Sequence, residues 1–207
     1  APDLPGFGKT PSPKKPWEIG DYTDFFSKFI EKLSLGKIIL LGHSFGGRIA
    51  IRFASLYPER LEFLILCSSA GIKLPATLTQ KIIYIVARTG NFILTPKLLK
   101  RLKDWARNTF YTLIRQRDYK RVKGTMRETF KKVIPRDLSS DLPKIKTETL
   151  IIWGARDKTV PIKAAYIIKE KVPNSTLIMM PGIAHTPHLE APEKLTAVIL
   201  DFIRTEK

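Results

Sequence analysis

The chain has 207 residues, with 36 Lys and Arg against 19 Asp and Glu, and a formal net charge of +17. Its length and its hydrophobic content of 43% are typical of one well-packed domain. No apolar run approaches the roughly 18 residues of a membrane-spanning helix, and the single cysteine, Cys67, excludes an internal disulfide. We expect a soluble, cytoplasmic protein, and the start at Ala1, inside a loop-like stretch, leaves open a preceding leader.

The positive charge is concentrated in one segment, since residues 71–146 hold 19 Lys and Arg against 5 Asp and Glu. A cluster of basic residues suggests nucleic acid as a partner, because Lys and Arg neutralise phosphates. Here they follow helical patterns without a groove motif or an aromatic platform. We therefore predict no nucleic-acid partner and a solvated helical face, with contact to an anionic membrane surface as the weaker alternative.

The first elements in chain order are a loop and a helix. Residues 1–16 contain five prolines and two glycines and are predicted to be irregular. From Asp21, taken as the N-cap, apolar residues recur every three or four positions and predict an amphipathic helix. They are Tyr22, Phe25, Phe26, Phe29, Ile30 and Leu33.

Four short apolar runs predict buried parallel strands, with helical patterns between them. The runs are Lys37–Leu41, Leu61–Cys67, Thr149–Trp153 and Thr176–Met180. Cys67 lies within the second run and is predicted to be a buried core residue. This alternation predicts an α/β fold, in which a mostly parallel sheet carries helices on both faces.

A long insertion separates the second and third runs. A crossover connection between parallel strands needs only a dozen residues or more, so this segment is far longer than the connection requires. Apolar residues in this insertion recur every three or four positions, which predicts helices. After Asp118, for example, they are Val122, Met126, Phe130 and Val133. We predict a helical cap at residues 71–147, inserted into a core made of residues 1–70 and 148–207.

The sequence GHSFGG fits G-x-S-x-G, the pattern of a sharp strand-to-helix turn that exposes a serine hydroxyl. The first predicted strand ends at Leu41, just before Gly42, and a helical pattern follows the serine. Gly42 and Gly46 are expected because a strained turn leaves no room for side chains. We predict Ser44 as a nucleophile; the alternative is a structural Gly-Ser turn.

A serine nucleophile needs an imidazole to take its proton and a carboxylate to hold that imidazole. His185 and His188 follow the fourth run and Asp157 follows the third, so these residues lie at carboxyl ends of strands, where sites form. His43 is expected to pack locally. The alternative for Asp157 is a solvated loop aspartate or a cap for the helix near Ile162. The chain order Ser, Asp, His is the one found in serine hydrolases built on such sheets.

Four segments, DLPGFGKT, GHSFGG, LIIWGARDKTVP and GIAHTPHLEAPE, resemble those of the α/β-hydrolase fold superfamily in order and spacing. The resemblance implies a serine hydrolase that acts on a small ester, or a related acyl or carbon–carbon substrate, through an acyl-enzyme. It favours His185 over His188 as the base beside Ser44 and Asp157, and implies the backbone N–H of Phe45 as an oxyanion donor. No cofactor and no metal are predicted, since the histidines and Cys67 lack ligand spacing.

Members of that superfamily carry further strands before DLPGFGKT, with a loop that supplies the second oxyanion donor. We therefore expect an N-terminally incomplete fold with an uncovered apolar strand edge, which favours aggregation, and little activity for this segment alone. The alternatives to an enzyme are an inactive fragment and a non-catalytic ligand-binding protein of the same fold. The oligomeric state stays open.

Overall fold

The computed structural model describes residues 1–74 and 124–205. Most of the predicted cap, residues 75–123, lies outside the described residues, so its helices stay predictions. The chain divides into two compact units, of which the first comprises Ala1–Lys73 and Lys123–Lys207. Residues 124–147, which we assigned to the cap, thus lie in the same unit as the predicted core, and the boundaries of the cap stay a prediction.

Four parallel strands form one sheet in the described part of the chain, in the order β1-β2-β3-β4. They are β1 (Ile38–His43), β2 (Leu61–Cys67), β3 (Thr149–Gly154) and β4 (Ser175–Met180). The predicted parallel sheet is confirmed. β1 runs beyond the predicted end at Leu41, because Gly42 and His43 still pair with Leu66 and Cys67 of β2.

The described helices lie before, between and after the strands. They are α1 (Ile19–Lys32), α2 (Phe45–Leu56), α3 (Gly124–Val133), α4 (Lys163–Lys171), α5 (Pro187–Glu190) and α6 (Pro192–Thr205), with 3-10 turns at Pro58–Arg60 and Leu142–Lys144. The predicted N-cap at Asp21 is wrong, because the N-cap of α1 is Glu18. The Asp21 carboxylate accepts the backbone N–H of Glu18 at 2.7 Å, as in a capping box.

Helices cover both faces of the sheet, as predicted. One face packs against α6, where the rings of Phe63 and Phe202 lie 5.5 Å apart, edge to face. On the other face α2 approaches β1 so closely that a Cβ on Gly42 would lie 2.6 Å from the Cβ of Ala50. Cys67 is 1% exposed, as predicted, and burial raises its pKa to about 12.

The first residues form an irregular loop, as predicted, and Tyr22 of α1 anchors it. The fully buried Tyr22 hydroxyl donates a hydrogen bond to the carbonyl oxygen of Pro5 at 3.1 Å. Burial raises the pKa of Tyr22 to about 12, so the hydroxyl keeps its proton. This anchor places the ring of Phe7 5.0 Å from that of Phe45, at the start of α2.

Two arginines join α2 to the segment around the end of α3. Arg52 pairs with the buried carboxylate of Asp141 at 2.9 Å. Arg48 donates to the carbonyl oxygens of Val133 and Arg136, at 3.3 and 3.1 Å. Because the last carbonyls of a helix lack partners within it, the Arg48 guanidinium caps α3 while it fixes α2.

β1 lies at one edge of the described sheet and exposes apolar side chains there. Ile39 is 40% and Leu41 is 45% exposed. This agrees with the expected uncovered edge. No helix among the described residues is long and apolar enough to cross a membrane.

Candidate active site

Ser44 occupies the turn between β1 and α2 in a strained conformation, with φ +49° and ψ −112°. A positive φ is uncommon for a residue with a side chain. The backbone around it is held firmly: the Ser44 N–H donates to the carbonyl of Cys67 at 3.3 Å, and the Ser44 carbonyl accepts from Gly47 and Ala70 at 3.1 Å each. These bonds tie the turn to the end of β2.

The glycines of this turn have different surroundings. A Cβ on Gly42 would lie 2.6 Å from the Cβ of Ala50, so glycine is needed there as predicted. Gly47, which we did not single out, has less room still, since its Cβ would lie 2.1 Å from Ser69 Oγ. No atom that the structure describes outside the helix's own turn lies within 4 Å of a Cβ on Gly46. Our steric explanation of Gly46 is therefore not supported.

The structure brings Ser44, His185 and Asp157 into one hydrogen-bonded row. His185 Nε2 lies 3.0 Å from Ser44 Oγ, and His185 Nδ1 lies 2.8 Å from Asp157 Oδ2. An ionised carboxylate only accepts hydrogen bonds, so Nδ1 carries the proton of the neutral imidazole and Nε2 faces the serine with a lone pair. In this arrangement an imidazole takes the proton of a serine hydroxyl.

Asp157 is held ionised by its surroundings. Its side chain is fully buried, and Oδ1 accepts the N–H groups of Thr159 and Val160 at 2.7 and 3.0 Å. Burial acts to raise its pKa, but the hydrogen bonds from His185, Val160 and Thr159 hold the pKa below its ordinary value of 3.8. Asp157 therefore caps a turn as well as binding His185, whereas the cap residue of α4 is Ile162.

The loops that carry Asp157 and His185 pack against each other through their backbones. A Cβ on Gly154 would lie 1.8 Å from the carbonyl oxygen of Ala184. Next to this contact, the Arg156 N–H donates to the carbonyl of Ile183 at 2.8 Å. Sequence reasoning missed Gly154, although a glycine at a strand end signals a close backbone approach.

Two further side chains that we had not placed in the site bind the backbone around His185. His43 Nε2 lies 2.8 Å from the His185 carbonyl oxygen, so His43 makes a long-range contact rather than packing only locally. The Glu190 carboxylate accepts the N–H groups of Ala184 and Thr186 at 2.8 and 2.9 Å, and the Thr186 hydroxyl at 2.8 Å. A signal for Glu190 was present, because it ends the segment HTPHLE that carries His185.

His188, the other candidate base, packs on the ring of His43 at 4.6 Å between ring centroids. Its imidazole makes no hydrogen bond to Ser44, whereas that of His185 does. The three histidines are therefore close together but make different contacts. Within residues 1–74 and 124–205, no group of three or more His, Cys, Asp or Glu side chains is placed to hold a metal ion.

Phe45, the predicted oxyanion donor, is the first residue of α2. Backbone N–H groups at this position have no partner within a helix, and the helix dipole adds positive potential. The Phe45 ring lies 5.0 Å from that of Phe7 and 5.9 Å from that of Phe130. Phe7, Phe45 and Phe130 therefore form an aromatic cluster at the start of α2.

Curated proteins resemble this chain over nearly all of its length. It is 27% identical, over 98% of the chain, to the dihydrolipoyllysine-residue acetyltransferase component of an acetoin cleaving system from Pseudomonas putida, and spans 55% of that protein. It is 25% identical, also over 98% of the chain, to a 2-hydroxymuconate semialdehyde hydrolase from Pseudomonas putida, and spans 75% of that protein. The chain is thus shorter than both relatives.

A solved structure and a family model agree with these relatives. The structure of a meta-cleavage product hydrolase from Pseudomonas fluorescens matches with a TM-score of 0.68 at 20% identity, over 100% of this chain and 79% of that one, which shows a common fold. The family model described as alpha/beta hydrolase fold matches residues 1–192. Together with the parallel sheet and the turn at Ser44, these matches show that the chain belongs to the alpha/beta hydrolase fold family.

Proposed function

We propose that this chain carries the active site of a serine hydrolase. In this proposal Ser44 is the nucleophile, His185 is the general base and acid, and Asp157 orients His185. The observation that supports it most is the row of contacts of 3.0 and 2.8 Å from Ser44 Oγ through His185 to Asp157. The strained backbone of Ser44 adds support, because strain of this kind collects at functional positions.

The first half of the proposed reaction forms an acyl-enzyme. Ser44 Oγ attacks a carbonyl carbon while its proton passes to His185 Nε2, and Asp157 stabilises the imidazolium. The N–H of Phe45 donates to the oxygen on which negative charge develops. His185 then gives its proton to the leaving group, whose bond to the carbonyl carbon breaks, and the acyl group stays on Ser44.

The second half releases the acid. Water attacks the acyl carbon while His185 Nε2 takes one of its protons. The bond from the acyl carbon to Ser44 Oγ breaks, and Oγ recovers its proton from His185. The carboxylic acid leaves, and the starting row of hydrogen bonds is restored.

Two substrate classes fit this chemistry: small esters, and carbon–carbon bonds next to a carbonyl in products of aromatic ring cleavage. Similarity to 2-hydroxymuconate semialdehyde hydrolase favours the second class. The cluster of Phe7, Phe45 and Phe130 supports an apolar group in either class, because Phe45 directly follows Ser44 in the chain.

Stopped-flow assays of the intact protein test the proposal and separate the two classes. The substrates are p-nitrophenyl esters of graded acyl length and 2-hydroxymuconate semialdehyde. We expect a burst of about one equivalent of p-nitrophenol from the preferred ester, as acyl-enzyme formation produces, and its loss in Ser44→Ala. Tight ligand binding by a folded protein that turns over neither class would favour the non-catalytic alternative.

A further inference from the structure

Consecutive backbone groups around His185 are bound by side chains from two places in the chain. The N–H groups of Ala184 and Thr186 donate to Glu190 at 2.8 and 2.9 Å. The carbonyl oxygen of His185 itself lies 2.8 Å from His43 Nε2. The peptide unit that precedes Ala184 and the one between His185 and Thr186 are therefore both held by side chains.

We propose that His43 and Glu190 are positioning residues, which hold the backbone of the His185 segment so that its imidazole stays in line with Ser44 and Asp157. The proposal rests on the proposed function, because alignment matters only if His185 takes the serine proton. Neither residue touches the reacting atoms in this account. Both act through the backbone of residues 184–186.

The geometry at His43 fixes its hydrogen-bonding role. A carbonyl oxygen only accepts, so Nε2 of His43 must be the protonated nitrogen and the donor to His185. Among the described residues, the titratable groups that act on His43 are His185, His188 and Asp157. Burial lowers the pKa of His43, and the nearby rings of His185 and His188 lower it further, against the raising effects of the His185 carbonyl and of Asp157. A neutral His43 avoids a second positive charge beside the imidazolium that forms on His185.

Glu190 binds the same backbone segment through its carboxylate. Its Oε2 accepts from the backbone of Ala184, and its Oε1 accepts from both the backbone and the hydroxyl of Thr186. These hydrogen bonds to the charged form lower the pKa of Glu190, so it stays ionised at neutral pH. Glu190 lies only five residues after His185, so it fixes the loop to its own short helix, α5. His43 then fixes the same loop to β1, the strand that ends just before Ser44.

The first test compares two substitutions of His43 in the intact protein. His43→Leu removes the donor, whereas His43→Gln keeps an N–H at a similar distance from the backbone. The rate of labelling by a fluorophosphonate reports the activation of Ser44 without the need for a known substrate. Because a misplacement of about 1 Å costs on the order of 10²-fold in rate, we expect about a 10- to 100-fold loss in His43→Leu and substantial recovery in His43→Gln. Tyr166→Leu, at an exposed position on α4, is the control, with labelling close to the wild-type rate.

The second test applies the same measurement to Glu190. Glu190→Gln keeps an acceptor for Thr186 but turns an amide toward the N–H of Ala184, so we expect about a tenfold loss, on the scale that misplacement of catalytic groups produces. Glu193→Gln, an exposed glutamate in the first turn of α6, is the control and should label like the wild type. With an ester substrate, each positioning variant should lower kcat and leave KM nearly unchanged, since the binding surface is intact.

The outcomes separate this proposal from the function on which it rests. A folded wild-type protein that neither labels nor turns over any ester overturns the proposed function itself. A wild-type protein that labels, together with a His43→Leu variant that labels equally fast, overturns the positioning role alone. Equal losses in His43→Leu and His43→Gln would also overturn it, because the donor would then be irrelevant. Thermal unfolding identifies variants that do not fold. If His43→Leu does not fold, the labelling rates of Glu190→Gln and Glu193→Gln test the positioning role by the same criteria.

Discussion

Gly154 and Ala184 meet so closely that a Cβ on Gly154 would lie 1.8 Å from the Ala184 carbonyl oxygen. The contact joins the end of β3 to the residue just before His185. Asp157 lies three residues after Gly154, on the same loop. The distance between the proposed acid and the proposed base therefore depends on the absence of a side chain at position 154.

Replacing Gly154 with alanine should displace the His185 loop, because a methyl group cannot share the space of a backbone oxygen. Since a displacement of about 1 Å costs on the order of 10²-fold, we expect fluorophosphonate labelling to slow by at least about tenfold. Gly20→Ala in α1 is the control, because no described atom outside its own helix turn lies within 4 Å of a Cβ there. Equal labelling rates in the two variants would mean that the loop adapts and that Gly154 does not set the spacing.

Asp157 should make the stability of the protein depend on pH in the acid range. Its pKa lies below the ordinary 3.8 in the folded chain, so its stabilising effect is complete above that value. This stabilising effect is lost as the pH falls. The unfolded chain takes up the proton near pH 3.8, and the folded chain takes it up only at the lower folded pKa, where the loss is complete. Urea unfolding at several pH values measures this, and Asp157→Asn should flatten the acid side of the curve. Asp201→Asn, at an exposed site, should keep the wild-type slope.

The ion pair between Arg52 and Asp141 should stabilise the fold more than a surface pair. Asp141 is 4% exposed, and among the described residues Arg52→Met leaves its carboxylate with Lys144 as the remaining cation, at 3.7 Å. We expect a loss of about 1–3 kcal/mol in the free energy of unfolding, the cost of an unsatisfied buried acceptor. Arg60→Met removes the more exposed pair with Glu31 and should cost about 0–1 kcal/mol. Equal losses in denaturant unfolding would show that burial of Asp141 makes no difference.

Local sequence patterns were enough to predict the strands. They were also enough to predict the row of Ser44, Asp157 and His185. A short apolar run that ends in G-x-S-x-G specifies a strand, a turn and a helix without reference to distant residues. The rule that sites form at carboxyl ends of parallel strands then places the loops of Asp157 and His185 near that turn. The apolar runs therefore located both ends of each strand to within two residues.

The contacts that hold the row together could not be predicted, because they depend on backbone groups whose positions are set only in the folded chain. His43 was expected to pack beside the turn, yet its partner is 142 residues away. Gly154 is one glycine among 12, and only the path of the neighbouring loop shows why it is needed. Glu190 stood in a recognised segment, but its three hydrogen bonds depend on how the loop at Ala184 folds back onto α5.

The most direct test of the account is to locate the residue that a fluorophosphonate modifies, by peptide mass spectrometry of the intact protein after labelling. Trypsin releases residues 38–48, a peptide in which Ser44 is the only serine. We predict one adduct, on Ser44, which is absent in Ser44→Ala and forms far more slowly in His185→Gln. An adduct on another residue, or undiminished labelling of Ser44→Ala, would contradict the assignment of Ser44 as the nucleophile.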